Sequence, residues 1–178
     1  MKKILLLIAV TAICCACLAG NTVAWLIGRS EVTNTFVAGD ISISLTETTG
    51  NTYPLIPGAV VAKNPTVTVY EGSEACWVFV VVEESDGLDT YISYTPADGW
   101  TALQDGVYYR EQNAISSNVA YPFLKDNQIT VKDSLTEAQI NALSASGKNP
   151  SLNLRAYAVQ QSGIENVQQA WEQARKLS

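Results

Sequence analysis

The sequence predicts an all-β domain behind an export leader: a two-sheet antiparallel sandwich of jelly-roll type with two peripheral helices. Three observations predict it. Short runs alternate apolar and polar residues at strand spacing, turn signals of Asp-Gly and Gly-Asn type separate them, and only two stretches carry helical spacing.

The leader comes first. Lys2 and Lys3 form a positive start, residues 4–18 form an apolar run, and Thr22 and Ala24 are the small residues that a signal peptidase needs just before its cut. Cleavage is expected between Ala24 and Trp25. Residues 4–24 also span roughly the 20 residues that cross a bilayer, so an uncleaved anchor is an alternative. Cys14, Cys15 and Cys17 raise a third reading, a lipoprotein, but Ala12 and Cys14 stand where a lipobox wants an aliphatic residue. The expected organisation is a signal peptide over 1–24, an N-terminal arm over 25–39 and the sandwich over 40–178.

Residues 40–46, DISISLT, place Ile41, Ile43 and Leu45 on one side and Ser42, Ser44 and Thr46 on the other, which reads as a half-buried strand. Gly50 and Asn51 signal a turn, and Pro54, Pro57 and Gly58 break the next stretch into an edge strand or loop. Residues 66–70, TVTVY, alternate again. Residues 75–83 form the next strand, apolar without interruption from Cys76 to Val82, which predicts a central strand covered on both faces. Further strands are expected over 90–95, 107–111, 128–132 and 151–159. A helix is expected over 134–146, with Ser134 as N-cap and Glu137 completing a capping box, and another over 164–177, where Ile164, Val167, Trp171 and Ala174 share a face. Both are expected to pack on the sheets.

Composition narrows the function. The 178-residue chain carries a net charge of −6, and removing Lys2 and Lys3 with a leader that holds no acid leaves −8 on the remaining 154 residues. Such a surface disfavours nucleic acid and anionic lipid as partners. The chain has no histidine, which removes the commonest general base and metal ligand and excludes an HExxH zinc helix. After cleavage only Cys76 remains, so neither a disulfide nor a thiolate cluster is expected, and no cofactor is.

The stretches GNTVAWL at 20–26 and TNTFVAGDISISL at 33–45 resemble the leader and first strand of the TasA and camelysin family of secreted Gram-positive proteins. Gly20, Thr22, Ala24 and Trp25, then Asn34, Phe36 and Gly39, fill the family's pattern, while Leu26 stands where a second aromatic residue is frequent. Residues 55–69, 72–84 and 151–160 resemble the sandwich strands of these proteins more loosely. The resemblance implies cleavage by a dedicated signal peptidase of SipW type and a secreted subunit of extracellular fibres or biofilm matrix. Such a subunit polymerises with itself, in some cases beside an accessory matrix protein, by passing its processed N-terminal strand to a neighbour. Camelysin-like members are described as surface metalloproteases, a reading that the missing histidines oppose; no enzyme activity is expected.

The arm has a physical case of its own. Trp25, Leu26, Ile27, Val32, Phe36 and Val37 are too apolar for a free tail and follow the cut directly, so they suit insertion at a neighbour's sheet edge. Folding back onto the home domain is the competing reading. A second candidate site is the aromatic concentration around Trp100, Tyr108 and Tyr109, which suits a glycan platform of a monomeric surface adhesin, although strand aromatics also serve as core packing. Glu83, Glu84, Asp86 and Asp89 lack the spacing of an EF-hand loop and read as a solvated hairpin end. Lys63-Asn64 carries the residue types of self-formed isopeptide bonds without a supporting spacing.

Overall fold

The computed structural model describes residues 40–50, 52–147 and 149–176. The leader residues Gly20, Thr22 and Ala24, the cut before Trp25, and the arm residues Leu26, Ile27, Val32, Phe36 and Val37 lie outside the described residues.

The described chain is all-β, with every strand pair antiparallel. In chain order it runs β1 (Ile43–Thr46), β2 (Val60–Ala62), β3 (Thr66–Val69), β4 (Cys76–Glu84), α1 (Leu88–Tyr91), β5 (Ile92–Ser93), β6 (Thr101–Gln104), β7 (Val107–Gln112), β8 (Val119–Pro122), β9 (Gln128–Val131), α2 (Glu137–Ser146), β10 (Leu152–Gln160) and α3 (Val167–Ala174). The strands group as β1-β3-β8, β10-β4-β7-β6 and β2-β9-β5.

Hydrogen bonding thus gives three sheets where two were expected, and the extra division has a local cause. Pro65 has no N–H to continue a ladder, and opposite it the chain passes through a 3₁₀ turn, Lys125–Asn127, in which Asp126 and Asn127 take positive φ. Single bonds span the gap: Lys63 N–H donates to Asn127 O at 2.8 Å and Phe123 N–H to Pro65 O at 2.9 Å.

β4 is the pivot. Its even-numbered residues Cys76, Val78, Val80 and Val82 face a core shared by all three sheets, with Ile43, Val67, Val69, Phe123, Val131 and Ala156 among its members. Its odd-numbered Trp77 and Phe79 face a second cluster, closed by Tyr157, Val159, Ala170 and Ala174. A strand buried on both faces has no need to alternate, which is why the run 76–82 is apolar throughout. Phe79 and Trp171 rings lie 5.4 Å apart, which seats α3 on this outer face.

Four sequence expectations need correction. The strand expected over 90–95 is the single turn of α1 followed by the two-residue β5, because Gly87 in a left-handed conformation starts a helical turn in which Leu88 is buried. Strands β6 and β8 were not foreseen, and β2 is the edge strand of the edge-strand-or-loop expected beyond Pro57 and Gly58. All three are short edge pieces of three or four residues, and β8 ends in Pro122, as an edge strand permits. The N-cap of α2 is Thr136 rather than Ser134: Gln139 N–H donates to Thr136 Oγ1 at 3.3 Å and Thr136 N–H to Gln139 Oε1 at 2.9 Å. Two overlapping capping boxes are written in SLTEAQ, and burial of Leu135 ahead of the helix selects the second. Finally, α2 buries none of its residues, so it is a surface helix held by the half-buried Ile140, whereas α3 buries Ala170 and Ala174.

Candidate functional site

Strand alternation along β7 divides the predicted aromatic platform. Tyr108 faces the shared core, its ring edge-on to Phe123 at 5.3 Å, while Tyr109 faces the α3 side near Phe79. Trp100, just before β6, joins Tyr108: its ring meets Phe123 at 5.6 Å and its Nε1–H donates to Pro122 O at 2.9 Å. Trp100 and Tyr108 therefore share a side, and Tyr109 lies on the other.

The same alternation brings in a residue that the sequence reading passed over. Arg110, two positions after Tyr108, lies between layers: its guanidinium carbon is 3.6 Å from the centre of the Tyr121 ring on β8 and 5.3 Å from that of Trp100. Tyr121 is itself fixed by donating its hydroxyl proton to Gln112 Oε1. Arg110 Nε is buried with no hydrogen-bond partner. Burial pushes the guanidinium below its ordinary value, against a smaller opposite effect of Tyr121. Aromatic stacking of a partly desolvated cation contributes about 0.5–2 kcal/mol, which offsets only part of the cost of removing Arg110 from water.

A second polar cluster sits at the break between β2 and β3. Lys63 is buried, and its Nζ donates to both Oε1 and Oε2 of Glu47 at 2.9 Å. Tyr53 donates its hydroxyl to Glu47 Oε1 at 2.8 Å, and its ring lies 5.5 Å from Lys63 Nζ. Burial, with Glu47 alongside, pushes the Tyr53 hydroxyl up to about 12. Asn64 turns away from Lys63 and accepts the N–H groups of Thr48 and Thr49 at 2.9 and 3.2 Å. The lysine therefore meets a carboxylate rather than the neighbouring amide.

The acidic residues after β4 are partly engaged. Glu83 pairs with Arg155 at 3.3 Å and Glu84 accepts the Tyr94 hydroxyl. Among the described residues, no group of three or more His, Cys, Asp or Glu is placed to hold a metal ion, and no helix is long and apolar enough to cross a membrane.

Cys76 is buried in the shared core, and desolvation pushes its thiol from 9.0 up to about 11. The folded thiol keeps its proton where the unfolded one has lost it, so this contribution to stability is complete below pH 9 and disappears as pH rises toward 11. Urea unfolding free energy is expected to decline across that window. The decline should be shallower in Cys76→Ala, whatever that variant's starting stability; an unchanged slope would show that the thiol is not its source.

The fold and these clusters define an all-β domain with a caged arginine at the junction of its layers. Compared with known protein families, curated proteins and solved structures, the chain matches none.

Proposed function

We propose that the chain is a secreted, non-catalytic structural subunit of extracellular fibres or biofilm matrix, akin to TasA-like proteins. A SipW-type signal peptidase cuts after Ala24, and the arm beginning at Trp25 inserts at the sheet edge of the next subunit. The partner is thus a second copy of this chain, with an accessory matrix protein as an optional addition. The domain is read as a jelly-roll-like sandwich in which β2 continues β3 and β9 continues β8 to make one layer opposite β10-β4-β7-β6.

The observation that carries this reading is the root of the arm. Asp40 O accepts Glu74 N–H at 2.9 Å and Ser42 O accepts Tyr70 N–H at 2.9 Å, so the chain is tied to the domain immediately ahead of β1. Among the described residues β1 is hydrogen-bonded to β3 alone, which makes it an edge strand of its sheet beside that root, with β10 close by. The 15 residues 25–39 reach on the order of 50 Å when extended, far enough to enter a neighbour's sheet.

Negative-stain electron microscopy of the chain beginning at Trp25, beside a variant lacking residues 25–37, tests the mechanism. Fibres are expected from the first and none from the second, with the melting temperature of the domain preserved. Fibres forming at the wild-type rate from the shortened chain would exclude strand insertion by the arm.

A further inference from the structure

The guanidinium of Arg110 has two aromatic rings for neighbours, and among the described residues no partner takes up its terminal nitrogens. Lys63, Arg155 and Arg175 each meet a carboxylate, whereas no carboxylate among the described residues forms an ion pair with Arg110. The Tyr121 ring stacks on it at 3.6 Å and the Trp100 ring lies 5.3 Å away, the first from β8 and the second from the turn before β6. Its terminal nitrogens lie against the exposed turn before β6: a Cβ built on Gly99 would stand 2.8 Å from Nη2 and 3.7 Å from Nη1. Gly99, at φ +87°, therefore packs closely against Nη2 where a side chain would clash, while Nε is the guanidinium nitrogen that is buried without a partner.

An arginine held flat in this way is preorganised, because stacking fixes its plane before any ligand arrives. Its two terminal nitrogens match the spacing of two carboxylate oxygens, and a bidentate contact of that kind is directional as well as charged. The half-buried Trp100 adds apolar ring surface beside the cation. We propose that the Trp100–Arg110–Tyr121 cage is a binding site for the carboxylate of a uronic-acid sugar in an acidic polysaccharide, with the sugar's C–H face resting on the neighbouring aromatic surface. The assignment goes beyond the structural role and does not depend on whether the subunit polymerises.

The chain's own charge shapes this recognition. At a net charge of −6 it offers a polyanion no long-range attraction, so binding rests on the local contact with Arg110. The exposed Asp98 adjoins Gly99 at the mouth of the site and opposes an incoming carboxylate.

Isothermal titration calorimetry of the chain beginning at Trp25 with trigalacturonic acid tests the site, with its fully methyl-esterified form and sodium acetate as comparison probes. Binding of the free acid is expected, at least about tenfold weaker in Arg110→Gln and in Arg110→Lys, which keeps the charge but loses the fork. The ester should give no heat, and Asp98→Asn should bind more tightly than wild type. The ester comparison uses the unaltered protein, so it stands even if an Arg110 variant misfolds. No heat from the free acid up to about 10 mM, equal binding by a folded Arg110→Gln, or equal binding of the ester would overturn the site. Acetate binding as tightly as the trisaccharide would overturn the sugar assignment.

Discussion

Glu47→Ala is expected to cost about 3–5 kcal/mol of folding stability, because it leaves the Lys63 ammonium buried without its counter-ion. The pair is well enclosed, with side chains only 8% and 12% exposed, and the carboxylate accepts from Lys63 through both oxygens. Lys63→Ala should cost a similar amount by leaving the carboxylate, among the described residues, with the Tyr53 and Thr49 hydroxyls as donors. The double variant Lys63→Met/Glu47→Leu removes both desolvation penalties and should lie much closer to wild type than the sum of the two single losses. Urea unfolding of wild type, Glu47→Leu, Lys63→Met and the double variant gives the coupling directly. Simple additivity would mean that the two groups do not support each other. The location explains why a salt bridge is used here: Lys63 stands at the interruption between β2 and β3, where Pro65 ends the regular ladder. Glu47 follows β1 and its ion pair holds that exit against the interruption.

Which parts of this molecule were legible in sequence follows from how local their causes are. β4 was readable because burial on both faces leaves an uninterrupted apolar run, and β3 because one buried face leaves strict alternation. β6 and β8 were not, and β2 was readable only as an edge strand or loop, since three or four residues at an edge bury too little to imprint a pattern; Val60 is 59% exposed inside its own strand. The cap of α2 was misplaced because Ser134 and Thr136 each begin an acceptable capping box, and only the tertiary burial of Leu135 decides between them. The aromatic cluster was half legible. Composition located Trp100, Tyr108 and Tyr109, but the parity of β7 separates Tyr109 from the others and delivers Arg110 in its place. Counting by twos from Tyr108 would have found Arg110. Its ring partner Tyr121 belongs to β8, a strand with too weak a signal to place beforehand.

Phe79→Ala should have the other large effect, about 3–5 kcal/mol, with a consequence confined to one side of the sheet. The ring is fully buried and lies 5.4 Å from Trp171 and 6.5 Å from Tyr109, so its removal opens a cavity under α3 rather than between the sheets. Tyr157, whose ring meets Trp171 at 6.2 Å, still holds the helix, but the buried residues of α3 are Ala170 and Ala174, and small side chains cannot move inward to fill the space. For a domain of this length the loss corresponds to a fall in melting temperature of roughly 6–20 °C. The distinguishing signature is local. Trp171 emission should shift to the red and amide exchange in α3 should accelerate, measured against a Trp171→Phe reference, while exchange in β1 and β3 changes only with global stability. Phe79→Leu, which retains most of the volume, should recover much of the stability and keep α3 seated. If Phe79→Ala accelerated exchange in β3 as much as in α3, the two faces of β4 would behave as one cooperative core, and the separation between the inner and outer clusters would be geometric without being energetic.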